Sequence, residues 1–413
     1  MNKRVVVTGV GIVSPLGLDV SSTWQGLIAG RPAVDYITLF DASAFDVKIA
    51  AEVKGFDPLH YVDRKRARRM DRFTQFAIAA SLEAIENSRL KIDSSNRYEV
   101  GVIIGSGMGG LTTLSEQFKV LYNEGDSRIS PFLIPIMIPD MASGEVSIQF
   151  GAKGPNYSVV SACASGAHAI GDAFTIIKQG YAQVMLAGGT EAVIIPIVIA
   201  GFNAMRALST RNGEPSRASR PFDAERDGFI LGEGAAVLVM ENLEFALRRG
   251  APILAEMVGY GATADAYHVA QLNGDGENIE RAMLLGLRRA NLKPENIDYI
   301  SAHGTSTRLN DAAETKAIKS LFGEYAYKVP VSSIKSMMGH TIGAAGAIEA
   351  VVSVLIIQNG IIPLTINLDS PDPECDLDYV PKVARQRKVR TVLSSSFGFG
   401  GHNAALVVTA YDE

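Results

Sequence analysis

Cysteine is scarce in this sequence, and its scarcity excludes several kinds of protein. Only Cys163 and Cys375 occur among 413 residues, too few for a disulfide scaffold or a four-cysteine zinc site. Basic residues are not in excess either. The 39 lysines and arginines stand against 44 acidic residues, a net charge of -5, which argues against nucleic-acid binding by the whole chain.

Long uninterrupted apolar runs are also missing. The most apolar window, residues 182–205, contains Glu191 and Pro196 and falls short of the ~20 consecutive apolar residues of a membrane span. Lys3 and Arg4 precede an apolar run as in a signal peptide, but glycines interrupt that run and no small-residue cleavage site follows. We therefore expect a cytoplasmic protein that does not enter a membrane.

What the chain does contain is ordinary core material arranged as an α/β protein. Hydrophobic residues make up 47% of it, and β-branched runs alternate with helical patterns, which is typical of parallel strands covered on both faces. The predicted strands are residues 4–10, 100–104, 158–162, 182–187, 235–240, 253–259, 298–302, 330–334, 391–396 and 405–409. The predicted helices are residues 72–88, 164–179, 279–289, 311–322 and 342–358.

The sequence also resembles itself. A shift of 180 residues aligns residues 164–167 (ASGA) with 344–347 (AAGA), and the helix that follows each ends at a glycine, Gly180 or Gly360. Two Ala/Gly helices can look alike by chance, but a matched start and stop at one offset favours an internal duplication. We predict one compact body of two halves, residues 1–250 and 251–413.

Cys163 lies between an apolar run and a helix that begins with small residues. At that place the free amides and the dipole of the helix favour the thiolate over the thiol, as a nucleophile requires. The alternative is a buried cysteine that acts as a small hydrophobe. Acidic neighbours surround Cys375, which we interpret as structural.

Two histidines follow apolar runs where Gly-rich turns begin. His303 precedes GTSTRLND and His340 precedes TIGAAGAIEA, with Lys335 five residues before His340. Each alone is more often a core or turn histidine, but strand ends are where α/β folds place their sites. Together with Cys163 they indicate one site. His60, His168 and His268 lack such a setting and are interpreted as structural.

Two glycine-rich segments have competing interpretations. Residues 394–403 (SSSFGFGGHN) place Phe397 and Phe399 among glycines, either as a gate close to a ligand or as a tight hairpin with core phenylalanines. Residues 105–110 (GSGMGG) fit a dinucleotide-binding fingerprint. The prolines that follow, in residues 130–144, disagree with a second Rossmann strand, so we reject nucleotide binding.

Residues 63–72 (DRKRARRMDR) form a positive segment on an otherwise acidic chain. If the segment is helical, its basic side chains Lys65, Arg68, Arg69 and Arg72 share a face. Such a run is usually a solvated surface, but it also suits docking of an acidic partner.

These motifs together resemble one family, the β-ketoacyl-acyl carrier protein synthases. The resemblance rests on VVSACASGA, SAHGTSTRLND, SSIKSMMGH and SFGFGGHN, and it extends over nearly the whole chain. It implies a thiolase-like fold with two duplicated halves in a five-layered α/β/α/β/α arrangement and, usually, a homodimer. It also implies acyl and malonyl thioester substrates borne on acyl carrier protein, fatty-acid chain elongation, and no cofactor.

The resemblance assigns a role to each matching residue. Cys163 would carry the acyl group, His303 and His340 would stabilise the enolate of the decarboxylating malonyl group, and the backbone amides of Cys163 and Phe399 would hold the oxyanion. The supporting residues are Lys335 paired with Glu349 and holding His340, Thr305 and Thr307 on the phosphopantetheine arm, Met108 and Phe397 at the acyl pocket, and Lys65, Arg68, Arg69 and Arg206 at the carrier protein.

Two positions depart from the family pattern. Ser395 stands where many members have asparagine, which affects any structural monovalent cation there, and Arg308 replaces an uncharged residue at the mouth. Two alternatives remain open: a ketosynthase of a polyketide or specialised lipid pathway, and a non-catalytic scaffold that only binds carrier protein.

Overall fold

A ten-stranded mixed sheet organises the protein. The computed structural model describes residues 3–412; Met1, Asn2 and Glu413, which end the two predicted halves, lie outside the described residues. The strands are β1 (Val5–Val13), β2 (Asp35–Tyr36), β3 (Ile49–Ala50), β4 (Val100–Gly105), β5 (Asn156–Tyr157), β6 (Val184–Glu191), β7 (Gly234–Asn242), β8 (Ala255–Ala264), β9 (Tyr299–Ser301), β10 (Val331–Ser332), β11 (Ile361–Ile362), β12 (Arg385–Gln386), β13 (Thr391–Gly398) and β14 (His402–Thr409).

The sheet consists of the same five-stranded pattern twice. Its order is β5-β4-β6-β7-β1 in one half and β10-β9-β13-β14-β8 in the other, and β1 and β8 join the halves. In each half the first strand along the chain pairs antiparallel with the last, as β1 does with β7 and β8 with β14. The other three strands of each half run parallel to one another: β5, β4 and β6 in the first half, and β10, β9 and β13 in the second. The internal duplication is confirmed. The parallel strands expected from the sequence are present, and β1, β7, β8 and β14 add antiparallel pairs that the sequence did not indicate.

Helices cover the sheet and fill its centre. They are α1 (Val20–Ile28), α2 (Arg64–Ala67), α3 (Arg72–Ser88), α4 (Leu111–Glu124), α5 (Leu133–Met137), α6 (Met141–Phe150), α7 (Ser165–Gln179), α8 (Pro196–Ala204), α9 (Leu243–Arg248), α10 (Glu277–Ala290), α11 (Arg308–Phe322), α12 (Lys335–Met338) and α13 (Ala345–Asn359). α3 and α6 pack outside the first half-sheet and α10 outside the second, while α7 and α13 pack between them. The predicted five-layered α/β/α/β/α fold is confirmed.

The two central helices start and stop 180 residues apart. α7 follows a 3-10 turn at Ala162–Ala164 and α13 follows one at Ile342–Ala344, and left-handed glycines, Gly180 and Gly360, end both helices. Small residues let them cross closely: a Cβ on Gly166 would lie 2.8 Å from the carbonyl oxygen of Gly343. The N-terminal ends of both helices, each with the 3-10 turn that precedes it and called the helix head below, therefore meet at the centre of the molecule.

Two local predictions are wrong. Residues 158–162 are not a strand, because the segment pairs with β4 earlier, through the shorter β5, and Ala162 already belongs to the 3-10 turn before α7. The basic segment is not one helix: α2 ends at Ala67, and α3 begins at Arg72, whose guanidinium is paired with buried Glu233 at 2.8 Å. Arg72 consequently does not share a face with the exposed basic side chains before it.

One helical stretch is long and apolar enough to cross a membrane by length and composition. It spans Ile342–Asn359, with a mean hydropathy of 1.6, and 78% of it is buried inside the protein. It includes α13, whose Glu349 is paired with Lys335 in the core. Its apolar character is that of a central core helix.

Candidate active site

The turn before α7 presents Cys163 to a cavity. Ala162 adopts a left-handed φ of +50°, which turns the chain sharply before the helix begins. The side-chain hydroxyl of Ser165 donates to the carbonyl of Ala162 and accepts from the amide of Ser161, so the turn is closed by its own hydrogen bonds. Cys163 is 8% exposed and lines the cavity.

The sequence predicted a lowered pKa for the Cys163 thiol, but the surroundings of the thiol in the structure raise it. Burial, with a smaller contribution from the charge of Glu191, raises the pKa of the Cys163 thiol to about 12. The charge of Lys335 and the backbone N–H groups of Phe399 and Cys163 lower this pKa but do not offset the burial. The predicted resting thiolate is therefore wrong: at neutral pH the thiol keeps its proton and must lose it during attack.

The glycine-rich loop after β13 brings a second amide to the sulfur. The backbone N–H groups of Phe399 and Cys163 both lower the pKa of the thiol, as donors close to the sulfur do. This approach depends on Gly398, because a Cβ there would lie 2.6 Å from the carbonyl oxygen of Ser161 and 3.1 Å from the nitrogen of Cys163. Phe399 itself is half-buried and lines the cavity, while Phe397 is buried with its ring centre 5.3 Å from that of His303.

His303 lies directly after β9, where a buried carboxylate holds its loop. The backbone N–H groups of His303 and Gly304 each donate to Glu314 of α11 over 2.8 Å. Burial, and then the charges of Lys335 and His340, lower the pKa of His303 well below its ordinary value. Lys335 Nζ lies 3.5 Å from His303 Nδ1, and because an ammonium only donates, the imidazole proton belongs on Nε2.

His340 lies next to His303. The two ring centres are 5.3 Å apart at an angle of 89°, and the ring of Phe229 packs against His340 at 5.4 Å. The His340 backbone N–H donates to the carbonyl of Ile230 over 2.7 Å. Burial lowers the pKa of His340 well below 6.5, with Lys335 the second cause. Both imidazoles are neutral at neutral pH.

Lys335 forms a buried ion pair with Glu349. Its ammonium contacts the Glu349 carboxylate, and both side chains are almost fully buried. Of the two imidazoles, the one within hydrogen-bonding distance of the Lys335 ammonium is that of His303. The predicted pairing of Lys335 with Glu349 is present, and the charge of Lys335 also lowers the pKa of His340; a hydrogen bond that holds His340 in place stays a prediction.

A single cavity of about 490 Å³ connects these groups to the surface. Cys163, His303 and His340 line its inner part, and the exposed Arg206 and Arg308 line its mouth. Between them lie Thr305 and Thr307, whose hydroxyls are 3.0 Å apart. His268 also lines this cavity, and its Nδ1 accepts hydrogen bonds from the amides of Ala270 and Gln271, which agrees with its interpretation as structural.

Other predicted site residues lie outside the cavity. Met108 does not line it and packs instead, half-buried, on the apolar cluster that includes Cys163 and Ile342. Lys65, Arg68 and Arg69 are exposed, and the guanidinium of Arg69 lies 4.2 Å from the ring centre of Phe132. The Ser395 hydroxyl is buried with no hydrogen-bond partner among the described residues.

Sequence reasoning missed two buried carboxylates at the site, Glu314 and Glu191. Burial raises the pKa of Glu314 to about 8 and that of Glu191 to about 7. Their only signal in the sequence is a carboxylate next to a glycine-rich or active-site motif, which does not reveal the partner. Across residues 3–412, no group of three His, Cys, Asp or Glu side chains is placed to hold a metal ion.

Comparison with known proteins places the chain in a family. The profile "Beta-ketoacyl synthase, N-terminal domain" matches residues 2–246, and "Beta-ketoacyl synthase, C-terminal domain" matches residues 254–369. A Synechocystis protein named 3-oxoacyl-[acyl-carrier-protein] synthase 2 is 53% identical, with 99% of this chain and 98% of that protein covered. The Staphylococcus aureus protein of the same name is 49% identical over 100% and 99% of the two chains.

Solved structures agree with the sequence matches. A β-ketoacyl synthase from Burkholderia phymatum superimposes with a TM-score of 0.92 at 37% identity, covering 99% of this chain and 100% of that one. A type II polyketide ketosynthase, solved with its acyl carrier protein and bound to the hexaketide, gives a TM-score of 0.92 at 34% identity over 100% of both chains. The chain described here belongs to the β-ketoacyl synthase family.

Proposed function

We propose that the protein condenses an acyl group with malonyl-acyl carrier protein to give a 3-oxoacyl-acyl carrier protein in fatty-acid chain elongation. One observation carries the proposal: a thiol with two amide donors at its sulfur shares a cavity with two neutral imidazoles. The names of the Synechocystis and Staphylococcus relatives support it.

The first step transfers the acyl group to Cys163. The thiol gives its proton to a neutral imidazole as sulfur attacks the thioester carbonyl, and the resulting oxyanion accepts hydrogen bonds from the N–H groups of Cys163 and Phe399. The carrier thiolate leaves and takes the proton. An acyl-Cys163 thioester and a free carrier thiol result.

The second step forms the carbon–carbon bond. The malonyl thioester loses its carboxylate as carbon dioxide, and the electron pair becomes an enolate whose oxygen accepts hydrogen bonds from His303 and His340. The enolate carbon attacks the acyl carbonyl and the Cys163 sulfur leaves with its electron pair. Cys163 then takes up one proton, which completes the balance. Because Lys335 fixes the proton of His303 on Nε2, His303 only donates. His340 Nδ1 has no hydrogen-bond partner among the described residues, so its tautomer is not fixed, and His340 is the imidazole that accepts the thiol proton in the first step. Both imidazoles donate in the second step.

The substrate's arm would follow the cavity from its mouth. The Thr305 and Thr307 hydroxyls suit the amides of a phosphopantetheine chain, and Phe399 lies where it gates access to the sulfur. The acyl chain would enter the apolar cluster around Cys163 that Met108 and Phe202 extend. The exposed Lys65, Arg68 and Arg69, together with Arg206 at the mouth, would bind the acidic carrier protein by charge complementarity.

A homodimer is part of the proposal. β5 lies at the open edge of the sheet, and Tyr157 on it is 41% exposed. The apolar side chains of Val160 in the next segment, Ile148 of α6 and Ile134 of α5 are more than half exposed. An open strand edge with exposed apolar residues nearby favours pairing with a second copy. Sedimentation should show a dimer that Ile148→Glu weakens and Val383→Glu, an equally exposed control, does not.

The remaining expectations are proposals of the same kind. We expect a cytoplasmic enzyme whose reaction uses no cofactor. Glu349 Oε2 and the Ser396 hydroxyl are buried, and the hydroxyl lies close enough to the carboxylate to lower its pKa. They are the oxygens that would hold a structural monovalent cation. Ser395 points to the opposite face of β13 from Ser396 and would not join them.

Two alternatives give different outcomes in one assay. Purified protein is incubated with a graded series of acyl-carrier proteins and malonyl-carrier protein, and carbon dioxide and the carrier-bound product are measured by mass. Elongation of acyl chains by two carbons with release of carbon dioxide supports the proposal. Acceptance of polyketide intermediates alone indicates the specialised ketosynthase, and carrier binding without any product indicates the scaffold.

A further inference from the structure

The heads of α7 and α13 offer their amides to different groups. Gly343 is the 180-residue counterpart of Cys163, and it lies in the same position of the same 3-10 turn. The amide of Cys163 lies beside its own sulfur at the cavity and lowers the pKa of the thiol. The amide of Gly343 instead donates to Glu191 Oε2 over 3.1 Å.

Glu191 ends β6 and is fully buried. Its Oε2 also accepts from the amide of Gly107 over 2.7 Å, and its Oε1 accepts from the Ser106 hydroxyl at 3.0 Å and the Met108 amide at 3.2 Å. Four donors therefore saturate the two oxygens. Three come from the loop after β4 and one from the head of α13, so the carboxylate joins the two halves beside the nucleophile.

The carboxylate of Glu191 is closely packed against two glycines, where no side chain would fit. A Cβ on Gly107 or on Gly343 would lie 2.8 Å from Glu191 Oε2, and a Cβ on Gly343 would lie 2.3 Å from the amide nitrogen of Gly107. The 3-10 turn that carries Cys163 packs directly on the turn that carries Gly343. A shift in Glu191 would thus move the wall behind the sulfur.

We propose that Glu191 is a positioning residue for the condensation: at the head of α13 its carboxylate occupies the place that the substrate oxyanion takes at the head of α7, and it acts on Cys163 across the two packed turns. The inference rests on the proposed function for the identity of that oxyanion. Glu191 touches no substrate and acts through the loop of Met108 and through its field at the sulfur.

The charges that face Cys163 make this field testable. Lys335 lowers the pKa of the thiol and Glu191 raises it, while His303 and His340 are neutral at neutral pH. Within the described residues, no lysine or arginine makes an ion pair with Glu191, so its charge is balanced only by amides and a hydroxyl. Because burial raises the pKa of Glu191 to about 7, its charge appears between pH 6 and 8.

The test measures the reactivity of the thiol and not the condensation. Wild-type protein and the isosteric variant Glu191→Gln are alkylated with iodoacetamide from pH 5.5 to 9, and the Cys163 peptide is followed by mass. Equal rates at pH 5.5 and a rate in the variant that is roughly three- to tenfold higher above pH 8 are expected, since removing a nearby negative charge increases the thiolate fraction.

Glu83 provides a matched control. It is another buried carboxylate with a pKa of about 7 that accepts two backbone amides, those of Ile12 and Val20, away from the cavity. Glu83→Gln should leave the Cys163 rates unchanged, and Glu191→Asp, which keeps the charge, should show no increase. The same alkylation profile in wild type and Glu191→Gln, or an equal rise in Glu83→Gln, overturns the proposal. Neither outcome depends on whether the protein condenses acyl groups.

Discussion

Two helix heads of nearly identical backbone lie in contact at the centre of this protein, and only one of them carries a reactive group. The head of α7 bears Cys163 and faces the cavity, whereas the head of α13 bears Gly343 and is capped by Glu191. The duplicated backbone therefore provides two sites for negative charge, of which one is filled by the protein itself. The difference in function therefore comes from the side chains: the amides at the α7 head stay available to a substrate oxyanion, whereas Glu191 occupies the amide at the α13 head.

The largest expected loss tests the pair of imidazoles that shares the cavity with Cys163 at the head of α7. His303→Ala or His340→Ala should slow malonyl decarboxylation by ~10²- to 10³-fold, because each removes one donor to the enolate oxygen. His60→Ala is the control, since His60 is exposed and does not line the cavity. Equal rates in all three variants would contradict the assignment.

A second change alters the amide donors at the α7 head and leaves the Cys163 side chain in place. Gly398→Ala places a Cβ 2.6 Å from the Ser161 carbonyl oxygen and should displace the Phe399 amide from the sulfur. We expect ~10²-fold slower acylation of Cys163, together with a lower melting temperature because the buried backbone must shift to admit the Cβ. Gly213→Ala, in open space, should acylate at the wild-type rate. A normal rate in Gly398→Ala would show that the Phe399 amide is not an oxyanion donor.

The α13 head should appear in the pH dependence of stability. Burial raises the pKa of Glu191 from 4.5 to about 7, so the folded state binds its proton more tightly than the unfolded state. The stability contributed by this group is present below pH 4.5 and is lost as the pH rises to 7. Relative to wild type, Glu191→Gln should gain about 2 kcal/mol between pH 5 and 7.5 in urea unfolding. Parallel curves for the two proteins would contradict this.

The smallest effect concerns the outer surface, away from both heads. Reversing Lys65, Arg68 and Arg69 to glutamate should weaken the use of carrier-bound substrates roughly three- to tenfold at low salt, mainly through association, and less at high salt. Small thioester mimics should be unaffected. Lys388→Glu, an exposed control outside this segment, should behave as wild type. Equal losses with carrier-bound and small substrates would contradict docking at this segment.

The sequence predicted those features whose signals are local. The start and end of α7 and α13 are encoded by small residues and by the glycines that cap them, and α3 was predicted at Arg72–Ser88 as observed. The site motifs around Cys163, His303 and His340 contain residues that the fold brings into one cavity.

What could not be predicted depends on contacts between distant segments. Glu191 meets Gly343 from a position 152 residues away, and nothing near either residue indicates the other. The pKa of Cys163 was misjudged for the same reason, because burial by the surrounding layers outweighs the local helix head. The choice of His303 over His340 by Lys335 is likewise set by tertiary packing and not by spacing.

The most direct test of the account is acylation of the α7 head. Wild-type protein and the variants Cys163→Ala and Cys375→Ala are incubated with an acyl-carrier protein, and the intact mass of each protein is measured by mass spectrometry. One acyl group on wild type and on Cys375→Ala, and none on Cys163→Ala, is the predicted result. A wild-type mass that stays unmodified under conditions of turnover, or an acyl group that remains on Cys163→Ala, would contradict it.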